Sequence, residues 1–178
     1  MAIADYLPSK TAGAALEDVR DGDLLFFSRK GFIAWCIRRV TRSQWSHVSI
    51  AFWEGELLVV HEASKPHRTR VPLLEKVAES TDGAVLARSD WVTPERLQLM
   101  HRYALDNFPS PYGLRHVVEI ALGFRRYKPQ QFSRPTCSEF VDQCFRSAGK
   151  GFKYDDRGFL SPQNIADDPT VRGVCRMV

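Results

Sequence analysis

Three side chains in this sequence have the types needed for thiol chemistry: Cys137, His47 and Glu62. A cysteine attacks as its thiolate, an imidazole takes and returns the proton, and a carboxylate holds the imidazole in one orientation. The segment Thr136-Cys137-Ser138-Glu139 has the Thr-x-x-Glu form of a capping box, with Thr136 as N-cap and Cys137 as the first helical residue. Behind it Cys137, Phe140, Val141, Cys144, Phe145 and Ala148 recur on one helix face, and Gly149 supplies a stop signal. A thiol at a helix start sits at the positive end of the dipole, which favours the thiolate. The backbone N–H of Cys137 is also the first candidate donor to a developing oxyanion. Taken alone, the pattern fits equally well a cysteine that merely opens a core helix, as Cys144 two turns on is expected to be buried and inert. A free cysteine near pKa ~8.5 is only a few per cent thiolate at neutral pH, so a base is required.

The base is sought in a hairpin. Residues 45–53 and 56–63 read as strands joined by a tight Glu54-Gly55 turn. With Trp53 facing Glu56, His47 lies directly opposite Glu62, and directly opposed side chains have Cβ atoms about 4.5–5.5 Å apart. A register slip of one residue would exchange His61 for Glu62 on that face. One face carries His47, Ser49 and Ala51 with Glu62, Val60 and Leu58; the other carries Val48, Ile50 and Phe52 with Val59 and Leu57. The small residues beside His47 leave room there for a helix to approach.

With these residues in view, the chain resembles the circularly permuted papain-like cysteine hydrolases of the NlpC superfamily, especially the YiiX-like branch. The resembling motifs are Gly22-Asp23-Leu24-Leu25-Phe26, Trp45-Ser46-His47-Val48, Val60-His61-Glu62-Ala63, Thr136-Cys137-Ser138-Glu139-Phe140-Val141 and Ser161-Pro162-Gln163-Asn164-Ile165, spanning nearly the whole chain. Histidine precedes cysteine, which is the permuted order. The resemblance implies Cys137 as nucleophile, His47 as general base and acid, and Glu62 as the orienting group. His61 stays open as an alternative third member, with the hairpin register favouring Glu62. Tyr112, in the run Pro109-Ser110-Pro111-Tyr112-Gly113, and Trp45, just before the histidine strand, are candidate substrate-contacting residues. The implied activity is hydrolysis or acyl transfer at an amide or ester through a thioacyl-enzyme, with a peptide or cell-wall amide favoured. A lipid acyl hydrolase or acyltransferase, and a noncatalytic binding module of the same fold, are the alternatives.

Composition bounds these readings. A chain of 178 residues with 44% hydrophobic content is expected to form one domain over 1–178, with residues 1–20 mobile. The first twenty residues hold no continuous apolar run, so neither a secretory signal nor a membrane span is expected, and the chain reads as cytoplasmic. Cysteines at 36, 137, 144 and 175 lack metal-type pairs and the histidines lack zinc spacing, so free thiols, no metal and no cofactor are expected. The formal charge is +4, and Arg125, Arg126, Lys128 and Arg134 cluster with Phe124, Tyr127 and Phe132. That stretch reads first as a solvated loop, with contact to an anionic membrane surface ahead of nucleic acid. Nothing in the sequence specifies an oligomeric state.

Elements that must position the three residues follow from periodicity and stop signals. A strand is expected over Asp23–Ser28, and an amphipathic helix over Gly31–Arg42 with Phe32, Trp35, Cys36 and Val40 inward. A short helix is expected over Pro72–Glu79, a strand over Ala84–Ala87, and a helix from Thr93-Pro94-Glu95 with Leu97, Met100, Tyr103 and Ala104 on its apolar face. Helical pattern resumes over Leu114–Leu122, Ser161-Pro162 opens a further short helix, and Val171–Val178 closes as a strand. Strands early and helices late predict an α+β fold in which an antiparallel sheet packs against the cysteine helix, a permuted papain-like core by resemblance.

Overall fold

Leu24–Phe27 (β2) is a run of four apolar residues, and all four are fully buried, as a strand with helices on both faces requires. In the computed structural model, which describes residues 7–28, 32–62, 70–78, 80, 82–107, 135–156 and 158–178, this strand lies at the centre of a seven-stranded sheet. The other strands are Ser9–Lys10 (β1), His47–Glu54 (β3), Leu57–His61 (β4), Arg70–Pro72 (β5), Ala84–Ser89 (β6) and Val171–Met177 (β7). Their order is β1-β7-β6-β2-β3-β4-β5, antiparallel throughout except for the parallel β1–β7 pair. Helices are Ala12–Ala15 (α1), Phe32–Thr41 (α2), Leu73–Ala78 (α3), Pro94–Asp106 (α4), Cys137–Ser147 (α5) and Pro162–Ala166 (α6). The α+β expectation therefore holds, with a mixed edge. No helix among the described residues is long and apolar enough to cross a membrane.

The sheet separates two cores. On one face Phe26, Val48, Ile50 and Phe52 pack with Met100 and Ala104 of α4 and with Cys137, Phe140, Val141, Cys144 and Phe145 of α5. On the other, Leu25, Ala51, Leu58 and Val60 pack with Ala15 of α1 and with Leu73 and Val77 of α3. This corrects one expectation: the cysteine helix lies on the Val48 face, and the space left by small residues on the His47 face is taken by α3. Bulky residues on the Val48 side supply the apolar area that the long α5 needs to bury.

The hairpin differs in register. Ile50 pairs with His61, Ala51 with Val60 and Glu54 with Leu57, so the two-residue turn is Gly55-Glu56 rather than Glu54-Gly55. Gly55 has φ +64°, and a glycine at the first central position is the mark of a type II′ hairpin turn. The shift is two residues, an even number, so each side chain keeps its face.

Helix ends were the most legible feature. Thr93, Thr136 and Ser161 cap α4, α5 and α6, and the last two form complete capping boxes. The far end of α5 is a Schellman motif: Gly149, at φ +98°, donates to Arg146, and Lys150 donates to Phe145. Met100 and Ala104 of α4 are buried, with Leu97 and Tyr103 packed against them. In α2, however, Trp35 is 54% exposed rather than inward. Nor is the start of the chain uniformly free, since β1, α1 and a 3₁₀ turn over Leu16–Asp18 occupy residues 9–18. The expected helix over 114–122 and the basic aromatic stretch over 124–134 fall outside the described residues.

Candidate active site

Thr136 adopts extended backbone at the N-cap of α5, its hydroxyl accepts from the Glu139 N–H, and the Glu139 carboxylate accepts from the Thr136 N–H at 2.7 Å. Cys137 is thereby fixed as the first residue of the helix. Ser138 adds an anchor, donating through its hydroxyl to the Leu160 carbonyl at 2.6 Å, just before α6. The α6 helix is tied in turn to the histidine strand, because the Gln44 N–H donates to Gln163 Oε1 at 3.2 Å. The sulfur of Cys137 lies at the beginning of β3, near enough to His47 and the Val48 N–H for both to favour its ionised form. Cys137 and His47 thus influence one another's protonation, as their roles in the sequence reading require.

His47 Nε2 lies 2.5 Å from Glu62 Oε2, and both residues are buried. With that nitrogen committed, Nδ1 is the ring position left for the thiol. In the observed register Glu62 follows the His61–Ile50 pair, so it is level with Ser49 and diagonal to His47. Ser49 accordingly donates to the same oxygen at 2.8 Å. The other carboxylate oxygen accepts from the ammonium of Lys76, a residue of α3 that is only 3% exposed. The row from α3 to α5 is thus Lys76, Glu62, His47, Cys137.

Electrostatics follow from this order. Burial raises the Glu62 pKa, but His47 and Lys76 outweigh it and hold the carboxyl well below its usual range. Burial also disfavours charge on His47, yet the Glu62 carboxylate and Cys137 raise its pKa overall. For Cys137, burial pushes the thiol up, and the charge and hydrogen bond of His47, helped by the Val48 N–H, bring it below the ordinary thiol value. Cys144 has no such partner: burial pushes its thiol strongly up, in keeping with the expected inert core cysteine. Cys137, Cys144 and Cys175 are all free thiols.

Lys76 was not anticipated from sequence. Its signal was available, since it falls on the apolar Leu73–Val77 face of α3, where a lysine has no business unless paired. Trp45 is 5% exposed and packs with its ring centroid 5.7 Å from that of Phe26, inside the core under α5. Tyr112 lies outside the described residues.

His61 points to the opposite face from Glu62. Its Nε2 is 2.8 Å from Glu54 Oε1, and its ring meets Phe52 and His101 edge-on. Burial, then the neighbouring His101, lower its pKa to about 4. His61 is consequently remote from the imidazole it was weighed to orient, and Glu62 occupies that place. The expectation of no metal-type set, made from sequence spacing, also needs correction: Glu54, His61 and His101 bring three ligand atoms within 4.8 Å of one another.

A family model described as permuted papain-like amidase enzyme, YaeF/YiiX, C92 family, matches residues 18–173. Among solved structures, one described as metalloprotein yiiX from Escherichia coli O157:H7 superposes with a TM-score of 0.70 at 20% identity, covering 88% of this chain and 97% of that one. At that identity the likeness bears on the fold. No curated protein matches significantly.

Proposed function

Because the chain belongs to the C92 family of permuted papain-like amidases, we propose that it is a cysteine-dependent hydrolase in which Cys137 attacks an amide carbonyl and forms a thioacyl-enzyme. The observation that carries this reading is the continuous contact from the capped helix start through Cys137 and His47 to Glu62. His47 takes the thiol proton, and the resulting imidazolium remains paired to the Glu62 carboxylate. As the tetrahedral intermediate collapses, the same imidazolium protonates the leaving amine. His47 then accepts a proton from water, which attacks the thioester, releases the acid and restores the thiol. The N–H of Cys137, at the helix start, is the first candidate donor to the oxyanion, and losing such a donor typically costs ~10²–10³ in rate. Of the groups suited to a divalent cation, Glu54, His61 and His101 lie apart from this chemistry, and no step is routed through them.

Peptide or cell-wall amides are the favoured substrates. An acyl-lipid substrate is the second reading, supported by the exposed Trp35 on the helix that leads into the histidine strand. Incubating the protein with peptidoglycan fragments and, separately, with phospholipid vesicles distinguishes the two by which one yields product. A thiol-reactive acyl analogue should add one mass equivalent to the wild type and none to Cys137→Ala; equal labelling of the variant removes Cys137 from the mechanism.

A further inference from the structure

One face of the β3–β4 hairpin, together with α4, holds a group of side chains that the thiol chemistry leaves unused. Glu54 ends β3, His61 ends β4, and His101 reaches them from α4. His101 Nε2 lies 3.8 Å from Glu54 Oε1, the same oxygen that His61 Nε2 approaches at 2.8 Å. The second separation is too long for a hydrogen bond, so one carboxylate oxygen stands between two imidazoles and bonds only one of them. We propose that Glu54, His61 and His101 form a three-ligand site for a divalent transition-metal ion of the zinc type, pinning α4 across the β3–β4 hairpin.

The donor set selects the ion. Two imidazoles and one carboxylate suit zinc, cobalt or ferrous iron, whereas magnesium and calcium prefer all-oxygen surroundings. Around zinc, with ligands at ~2.0–2.1 Å, neighbouring donor atoms of a tetrahedron stand about 3.3 Å apart. The observed 2.8 and 3.8 Å separations bracket that edge. Phe52 holds the arrangement in place before any ion arrives, with His101 stacked on its ring at 4.4 Å and 9°, and His61 edge-on at 5.5 Å and 85°. The two imidazoles thus present themselves nearly at right angles, as ligands approaching one centre from different sides would.

Exposure supplies an entry path. The His61 side chain is 1% exposed, but those of Glu54 and His101 are 13% and 28% exposed, so the ion reaches the site from the α4 side and keeps water in its remaining positions. The buried Nδ1 of His61 has no hydrogen-bond partner among the described residues. A ligating histidine without such a support binds its metal roughly 10–100-fold more weakly, which places this site among modest binders rather than permanent structural zinc centres. It is also separate from the thiol. The two groups share no residue: His61 pairs with Ile50, two residues along β3 from Val48, while Glu54 lies six residues from Val48, roughly 20 Å at ~3.3 Å per residue.

The test uses the full chain after chelator treatment and dialysis. Titration with Co²⁺, followed by visible absorption, and with Zn²⁺, followed by calorimetry, should each show one equivalent per chain, and Zn²⁺ should raise the thermal midpoint. His101→Ala, and independently the isosteric Glu54→Gln, should weaken binding at least tenfold and remove the thermal shift. Cys137→Ser should retain both, which separates this site from metal capture by the thiol. Absence of stoichiometric binding, binding unaffected by both His101→Ala and Glu54→Gln, or binding lost in Cys137→Ser would each overturn the proposal.

Discussion

Glu139 performs two tasks that conflict above neutral pH, and replacing it with glutamine should separate them. One oxygen of its carboxyl accepts from the Thr136 N–H and closes the capping box, while the other is buried without a hydrogen-bond partner among the described residues. Burial therefore raises its pKa to about 7 from an ordinary 4.5. A carboxyl that holds its proton more tightly when folded contributes stability at low pH and loses it as pH rises through the folded value. At ~1.4 kcal/mol per tenfold change in proton affinity, the loss is about 3 kcal/mol, fully developed above pH ~7 and absent below pH ~4.5. Glutamine keeps the capping oxygen and cannot ionise. Urea unfolding of wild type and Glu139→Gln from pH 4.5 to 8 should give a stability difference that moves in favour of the variant by about 3 kcal/mol across this window. The difference cancels every other titrating group the two proteins share. A constant offset, as would follow from the poorly partnered amide alone, would refute the assignment of a buried, neutral Glu139.

Three further outcomes follow from the row of charges and the end of α5. Glu62→Gln leaves the Lys76 ammonium buried beside a neutral amide and should destabilise the fold by about 3–5 kcal/mol, whereas adding Lys76→Met should recover most of that loss in the same denaturant assay. Alkylation rate against pH should show a Cys137 midpoint below the ordinary ~8.5 in the wild type and a higher one in His47→Gln, because the largest influence lowering the thiol pKa is that imidazole. Gly149→Ala forces a side chain into the left-handed region at φ +98°, with open space around the Cβ, and should cost about 1–2 kcal/mol by the same unfolding measurement.

Legibility in the sequence tracked how local each signal was. The start of α5 is written in four adjacent residues, and Gly149 marks its end, so both were readable without knowing what the helix touches. The pairing of His47 with Glu62 was found through a register two residues out, and it survived because strand side chains repeat every second residue. A shift of one residue would have delivered His61 instead. What failed depended on the other side of a contact. Trp35 has the spacing of an inward residue, but periodicity does not say whether a partner covers that face. Small residues beside His47 invited a helix, and only the folded chain shows that the helix is α3, carrying Lys76. The Glu54, His61 and His101 group assembles from the ends of two strands and a distant helix, so no local spacing could announce it.

The alternation of charge through the site has a consequence for the tetrahedral intermediate. Lys76, Glu62, protonated His47 and ionised Cys137 sum to zero. Once the sulfur is bonded to the substrate carbon in the tetrahedral intermediate while His47 still carries its proton, the same four positions hold one uncompensated positive charge, shielded from water by burial. That surplus is largest at the stage when a carbonyl oxygen is gaining negative charge, and it vanishes when the imidazole hands its proton to the departing group. Without the lysine the balance would close one charge lower, and the site would tend to expel the anion it needs to form.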